Sequence, residues 1–489
     1  MGLLKDYTRK DFNSIRNYLV SMIDDLCDKY SSNAWTDRNE SDLGMFLIEL
    51  MAGVGDMLNF NIDKAVLETY FPTAKQRKNI RRILSLINYY MQPMSPATTY
   101  VTFSLASGEA ATKDIIIPKY TQLSCSNQRK KVYYATTDEV YIKQGEKSVD
   151  VRVVQGSLVI INTVVKELKF SQSLLIRSAK VAKDSVVLFV DGVEWTEVPD
   201  VLVDEEYGTK FSVHENENDY SYIEFGYSWK EYLPANNAAP VVIQYLETEG
   251  QLGSVKANLI TNIHTVIYSN GVDCSNELVV TNKEGSSGGS NRETISETKL
   301  KIPKFLATGY TMCTLKDYEA FTNMIPGVYK CAAVDWNISW NGIKRYYVSV
   351  PYKVDIYVIP SDTGVYECSS AFLDHIKAQL TPYLWNSIDL NIYTAKIRNL
   401  TVSTTVYTLE SSVLHSQIKT DVQETLTNYF EKTKRSFGET FSVSSIENLI
   451  DNSNSLIRYN KILQDYTVKL EPIEFPRLTL ITVDIVQEY

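Results

Sequence analysis

Through the first ninety residues the apolar positions recur every three or four residues, and beyond them they alternate with polar ones. The first regime predicts helices. Phe12, Ile15, Leu19, Met22, Ile23 and Leu26 line one helix, opened by Thr8 with Asp11. Leu43, Phe46, Leu47, Leu50, Val54, Met57, Leu58 and Asn61 line a second, longer one. Ala52, Gly53 and Gly55 remove bulk near its middle. Each glycine costs up to about 1 kcal/mol of helix propensity relative to alanine, so a close approach of another backbone is expected there. Pro72 marks a break, after which Thr73 and Gln76 have the spacing of a capping box for a third helix carrying Ile80, Ile83, Leu84 and Ile87. The small-residue patch, with Asn61 on the seam, predicts that one face meets another chain. A self-contained three-helix domain is the plainer alternative.

These helices carry a resemblance. Glu40-Ser41-Asp42-Leu43-Gly44, then Leu47, Glu49-Leu50, Gly55-Asp56, Asp63, Tyr70, Thr73-Ala74, Arg77 and the run from Arg81 to Tyr89 join an acidic helix start, a Gly-Asp step and a basic helix in fixed order. The arrangement resembles the baseplate J-like family, the baseplate wedge proteins of contractile phage tails.

Two prolines, Pro93 and Pro96, close the helical regime. Val101, Phe103 and Leu105 then alternate, and Ile115 to Leu123, Val132 to Ile142 and Val149 to Val154 read as further strands. Asp191-Gly192, between apolar runs, predicts a hairpin turn, as does Asn341-Gly342. The family resemblance continues at Ile117-Pro118 with Thr121, at Tyr133-Tyr134, and at Val153 with Gly156, but where relatives carry an acidic-glycine turn after Phe225-Gly226 this chain has Tyr227-Ser228-Trp229. The run Asn282 to Arg292 is rich in Gly and Ser and reads as a flexible linker. Beyond it Thr314 with Asp317 caps a helix bearing Tyr318 and Phe321 that Pro326-Gly327 ends. Thr314 to Val328 again resembles the family. Helices near Ala371–Tyr383, from Ser412 to Lys432 and from Ser444 to Asp451 alternate with strands to the C-terminus. The expected fold is multidomain α+β: an N-terminal helical bundle segment (1–95), a middle mainly-β domain (96–285), and C-terminal α+β domains (286–395 and 396–489).

Charge and chemistry narrow the function classes. The formal net charge of −10 argues against a nucleic-acid partner, which requires a basic field. The six cysteines form no C-x-x-C pair and the four histidines are far apart, so no metal or cofactor is expected. No signal sequence opens the chain and no stretch of 18 consecutive apolar residues occurs, so neither export by that route nor membrane insertion is expected. Gly285-Ser286-Ser287-Gly288-Gly289 formally satisfies G-x-S-x-G, but no striped helix follows it, and a linker serine carries no chemistry. Lys75, Arg77, Lys78, Arg81 and Arg82 form the one dense basic run. Such runs are usually solvated helix faces; the sharper reading is a docking face for acidic groups such as Asp24, Asp25, Asp28, Glu40, Asp42, Glu49 and Asp56.

The resemblance therefore implies a non-enzymatic structural subunit of a virion's tail baseplate, assembled in the host cytoplasm. By that resemblance it pairs with a second copy of itself and with other baseplate wedge proteins. Its C-terminal domains join neighbouring wedges, and sheath-initiating or hub-proximal proteins are further partners, in a ring that relays the trigger for sheath contraction. The residues expected to meet partners are Leu43, Leu47, Leu50, Val54, Met57 and Asn61 on the long helix, Lys75, Arg77, Lys78, Arg81 and Arg82 on the basic one, and Tyr318 and Phe321. Rival readings are a tail-associated hydrolase acting on cell-surface polymer, and the same wedge role in a phage-tail-like bacteriocin or secretion-type injection device.

Overall fold

The computed structural model describes residues 11–30, 38–39, 42–87, 89–125, 131–166, 173–198, 201, 209–216, 219–225, 238–269, 272–340, 345–409, 414–463 and 467–487. Thr8, Glu40, Ser41, the Tyr227-Ser228-Trp229 loop and the Asn341-Gly342 turn lie outside them. The architecture is multidomain α+β, with helices first, a mainly-β middle and mixed C-terminal parts. It divides into two compact units, residues 1–91 with 294–299, and residues 92–293 with 300–489.

The first unit holds three helices from the first ninety residues, α1 (Phe12–Lys29), α2 (Leu43–Leu67) and α3 (Arg77–Ser85). Asp11 caps α1 by accepting the Ser14 N–H at 2.9 Å, and Asp42 caps α2 by accepting those of Gly44 and Met45. The start of α3 departs from the expected capping box. Thr73 turns its hydroxyl to the carbonyls of Leu67 and Tyr70, while the Glu68 carboxylate accepts the N–H groups of Lys75 and Gln76 and the Asn79 side chain. A carboxylate at that end satisfies orphan donors and faces the positive pole of the helix.

In the second unit the alternation seen in the sequence builds sheets. Val101 and Phe103 on the strand Thr98–Leu105 point into a core with Ile117, Leu123, Tyr134, Val153, Ile260 and Val280, enclosed by a six-stranded and a four-stranded sheet. A seven-stranded sheet wraps a second core around Leu188, Trp195, Phe211 and Ile243. Within it the hairpin Val187–Val190/Val193–Glu197 turns at Asp191 and Gly192, both with positive φ (51° and 78°), as that dipeptide predicts.

The helix α4 (Ile295–Leu306) precedes α5 (Leu315–Met324), which opens on a complete Thr314–Asp317 capping box. With α6 (Ser370–Leu380) it packs on the strands Val328–Val334, Lys353–Pro360 and Asp389–Thr394 around Ile356, Val358 and Phe372. The last core lies under α7 (His415–Tyr429) and α8 (Val443–Asp451). These cover one face of a sheet whose central strand, Lys396–Thr408, runs antiparallel to Ile457–Ile462 and parallel to Glu474–Gln487.

The Gly/Ser run departs most from expectation. It is not a free linker: Ser286 and Ser287 are fully buried. Ser287 exchanges backbone hydrogen bonds with Thr98, and Ser290 with Ser95, so the segment adds to the strand Thr98–Leu105 at its start. Ser287 Oγ also accepts the Ser369 N–H at 2.7 Å, and both oxygens of the buried Asp362 accept the N–H groups of Gly288 (2.6 Å) and Gly289 (3.0 Å). Small residues are there because space is tight. Gly288 has φ +90°, and a Cβ on Gly327 would overlap its carbonyl.

Candidate functional site, an uncovered apolar helix

The long helix α2 is apolar on nearly every side, so its periodicity alone does not say which side turns inward. In the fold Met45, Ile48 and Ala52 are buried. The stripe read from the sequence faces the other way: Leu43 is 73% exposed and Met57 68%, and Leu47, Leu50, Val54 and Asn61 are exposed too. Phe46, Met51, Leu58, Phe60 and Ile62 extend the surface. What the small-residue patch admits is not a backbone but side chains of the chain's own α1. A Cβ on Gly55 would lie 3.2 Å from Ile15 Cδ1 and one on Gly53 4.0 Å from the Phe12 ring, and Arg16 and Glu49 pair at 3.3 Å beside them. In soluble proteins exposed apolar patches beyond a few hundred Å² are associated with protein or membrane contacts. Each Leu or Met left in water forgoes about 1.5–3 kcal/mol that a covering surface would recover. By length and composition α2 is also long and apolar enough to cross a membrane, although its apolar run is broken by scattered polar residues.

The basic run is divided. Lys75 and Arg82 are exposed, whereas Arg77, Lys78 and Arg81 are half-buried. Arg82 and Asn61 line an open groove of about 620 Å³ between α2 and α3, with Lys64, Glu68 and Asn79. Three of the acidic residues expected to face the basic run are used elsewhere: Asp42 caps α2, Glu49 pairs with Arg16, and Asp24 with Arg38 at 2.6 Å. Glu40 lies outside the described residues. Glu68, which the sequence did not single out, is the acid at the α3 start. Burial would raise its pKa, but the hydrogen bonds from Asn79, Gln76 and Lys75 hold it below the ordinary value. Lys299 also escaped notice. Its ammonium donates to the carbonyls of Pro72 and Ala74, a contact 225 residues away in sequence that no local pattern announces.

Tyr318 and Phe321 do not present a surface to a partner. Both are buried beside Met312 and Phe372, because α5 turns its apolar side onto the sheet. Among the described residues serine meets histidine at Ser124 Oγ to His264 Nε2, 2.7 Å, and at Ser212 Oγ to His214 Nε2, 2.9 Å. Both serines are buried at the hydroxyl's own residue. Glu224, the carboxylate near His214, lies 3.9 Å from the same Nε2 that meets Ser212, so it does not orient the ring from the opposite nitrogen as a triad requires. Ser287 is spent on Ser369. Among the described residues no three His, Cys, Asp or Glu side chains converge to hold a metal.

Residues 12–86, which span α1 to α3, match the family described as bacteriophage baseplate protein, N-terminal domain. The likeness is confined to these opening helices. No curated protein matches the chain. Among solved structures it is similar to a chain of the anti-feeding prophage (AFP) baseplate, at 12% identity and a TM-score of 0.34 over 99% of this chain and 100% of that one. It is also similar to a chain of the type VI secretion system TssK-TssF-TssG baseplate subcomplex, at 8% identity and a TM-score of 0.32 over 71% of this chain and 96% of that one. Likenesses at these scores are too loose to align individual elements, so the resemblance to baseplate proteins rests on the opening helices.

Proposed function

We propose that this chain is a non-enzymatic structural subunit of a baseplate wedge in a contractile tail or a related injection device. In this reading the outward face of α2 is buried by helices of a neighbouring baseplate chain or of a second copy, and the basic residues Lys75 and Arg82 engage acidic groups at the edge of that contact. The observation that carries it is the row Leu43, Leu47, Leu50, Val54 and Met57, exposed along a helix within the segment that matches the baseplate family. A helix that keeps such a face in water is built for a partner, since few soluble monomers retain so large a patch. The buried hydroxyls of Ser124, Ser212 and Ser287 favour a structural over a hydrolytic role. Relay of the contraction trigger then amounts to the subunit changing partners at interfaces of comparable stability.

The test is the double variant Leu50→Asp with Val54→Asp in the full chain, produced in place of the unmodified chain in the particles or cells that carry it. It should fold, because both positions are solvent-exposed, yet fail to copurify with baseplate partners and yield particles without complete baseplates. Normal particles would refute the docking role of α2. A membrane role is separated by flotation with anionic vesicles: the unmodified chain should remain in the protein fraction, and vesicle binding abolished by the double variant would replace the baseplate reading of this helix.

A further inference from the structure

The seven-stranded sheet of the middle part curls around one core, which takes in Val165 of the strand Ser157–Lys166 and Ile176 of the strand Ser173–Ile176. These two strands stand at opposite ends of the sheet and share no ladder. Ser157–Lys166 is paired on one side only, to Ala238–Glu247, in an antiparallel register without a shift. Three contacts show which of its backbone groups that ladder uses. The Leu158 N–H donates to Gln122 Oε1 rather than across the ladder. Opposite Leu158, the Leu246 carbonyl accepts the Ala182 N–H, and opposite Val164 the Pro240 carbonyl accepts the Asp191 N–H. The even-numbered residues of this pair therefore turn their backbone groups away from each other and the odd-numbered ones exchange them, as alternate antiparallel pairs do. The N–H and C=O groups of Ile160, Asn162 and Val164 are left pointing to the outer edge, where no described residue meets them. Side chains follow the same alternation. Val159, Ile161 and Val165 pack on the core, whereas Asn162 is exposed and Ile160 and Val164 are 52% and 56% exposed.

We propose that this edge receives an extended segment of another protein chain as an added strand, hydrogen-bonded to Ile160, Asn162 and Val164. An open strand edge is a template for pairing, and proteins that have no use for one blunt it with lysine, proline or a bulge. From Ser157 to Val165 none of these devices is present: the one charge is Lys166 at the strand's end, and the register runs without a shift. The stretch Ile160 to Val164 is about 16 Å long at about 3.3 Å per residue, which accepts a segment of about five residues. Both faces set the chemistry of that segment. On the inner side its side chains extend the core past the half-buried Val159 and Ile161, so they are apolar. On the outer side they lie beside Ile160 and Val164, where β-branched residues such as valine and threonine fit, and proline is excluded because it lacks the N–H that pairing needs. Main-chain groups give the attachment and the alternating side chains give the choice. One segment suits the edge better than a second copy does. The start of the strand is tied to the six-stranded sheet, by Gly156 N–H to the Tyr133 carbonyl and by Leu158 to Gln122, so a second copy would have to bring that sheet and its own curled one to the same short opening. Pairing here requires nothing of α2 and stands or falls apart from its docking.

The test is amide hydrogen exchange of the full chain, alone and with a soluble peptide of alternating valine and threonine flanked by lysines. In the chain alone the amides of Ile160, Asn162 and Val164 should exchange about tenfold or more faster than those of Val159, Ile161 and Thr163, and the peptide should slow them by about tenfold or more. Asn162→Pro removes an outward N–H without touching the ladder to Ala238–Glu247, and Ile160→Lys with Val164→Lys changes exposed side chains alone. Each should weaken peptide binding, read by fluorescence anisotropy, by about tenfold or more while the Val159, Ile161 and Thr163 amides keep their protection. Outward amides already protected in the chain alone, binding that leaves them unprotected or that both variants leave intact, or no binding at all would each overturn the proposal. Self-association that either variant abolishes would overturn it too, because a second copy would then hold the edge.

Discussion

Replacing Gly288 by alanine should loosen the C-terminal part of the second unit far more than an ordinary loop substitution. Two costs coincide at this residue. Its φ of +90° lies where a side chain is strained, at about 1–3 kcal/mol. The added Cβ would also lie 2.8 Å from Phe372 Cγ and closer still to Cδ2 and Cε2. Phe372 is 1% exposed and packed with Ile376 and Val358, so its ring has nowhere to go, and overpacking of this kind costs about 1–3 kcal/mol. Against these stands the lower entropy of the unfolded chain, worth about 0.4–1 kcal/mol. The net loss is about 1–5.6 kcal/mol, centred near about 3 kcal/mol. Because the chain has more than one compact unit, a single melting curve does not isolate it. Native-state hydrogen exchange does: the α6 amides should lose protection by about thirtyfold or more. Gly145→Ala is the control, for Gly145 has φ +91° but open space around its Cβ position, and should show the backbone cost alone. Exchange in α6 within about threefold of the unmodified chain would mean that the 286–290 segment is not wedged against Phe372 and would refute the reasoning.

Ser287→Ala leaves the Ser369 N–H without its acceptor in a buried site and should cost about 1–3 kcal/mol, read as a lower urea midpoint by exchange at the start of α6. A neutral result would return the segment to the status of a linker. Glu68→Ala removes the acceptor for Lys75, Gln76 and Asn79 and should destabilise α3 by about 1 kcal/mol. Since the Glu68 carboxyl is held below its ordinary 4.5, that contribution is present at neutral pH and fades as pH falls through its lowered value; an α3 insensitive to acid and to the substitution would contradict it. Burial pushes Asp362 up from an ordinary 3.8 to about 7, despite the N–H groups of Gly288 and Gly289 and the nearby Lys432 ammonium. From pH 4 to 7 the unfolded chain has released a proton that the fold still holds, so this site's contribution to stability declines as pH rises across that window and is level above it. Asp362→Asn should remove that slope, seen as the difference between denaturation midpoints of the two proteins at pH 5 and pH 7.5; parallel profiles would show that Asp362 does not titrate there.

The sequence by itself determined the elements and their order. Three- and four-residue spacing located α1 and α2, alternation located the strands from Thr98 onward, and short-range signals such as Asp191-Gly192 and Thr314 with Asp317 placed a turn and a cap, because their physics acts over a few residues. A likeness to baseplate proteins, though not the J-like family in particular, was legible in the same stretch, where residues 12–86 match a baseplate N-terminal domain. What only the tertiary structure decided is which faces are used. On α2 nearly every position is apolar, so the inward set of Met45, Ile48 and Ala52 was fixed by where α1 lies, and the stripe read from periodicity turned out to be the uncovered one. Tyr318 and Phe321 went to the core for the complementary reason, that a sheet lay beneath their helix. The cap of α3 came from Glu68 through a loop, beyond the three-residue reach of a capping box. The Gly/Ser run shows the limit most plainly. Composition reports that its residues are small and flexible in an unfolded chain, but small residues also suit the places where backbones crowd, and the partners that crowd this one, Thr98, Asp362 and Phe372, lie 70 to 190 residues away, where no window of sequence reaches.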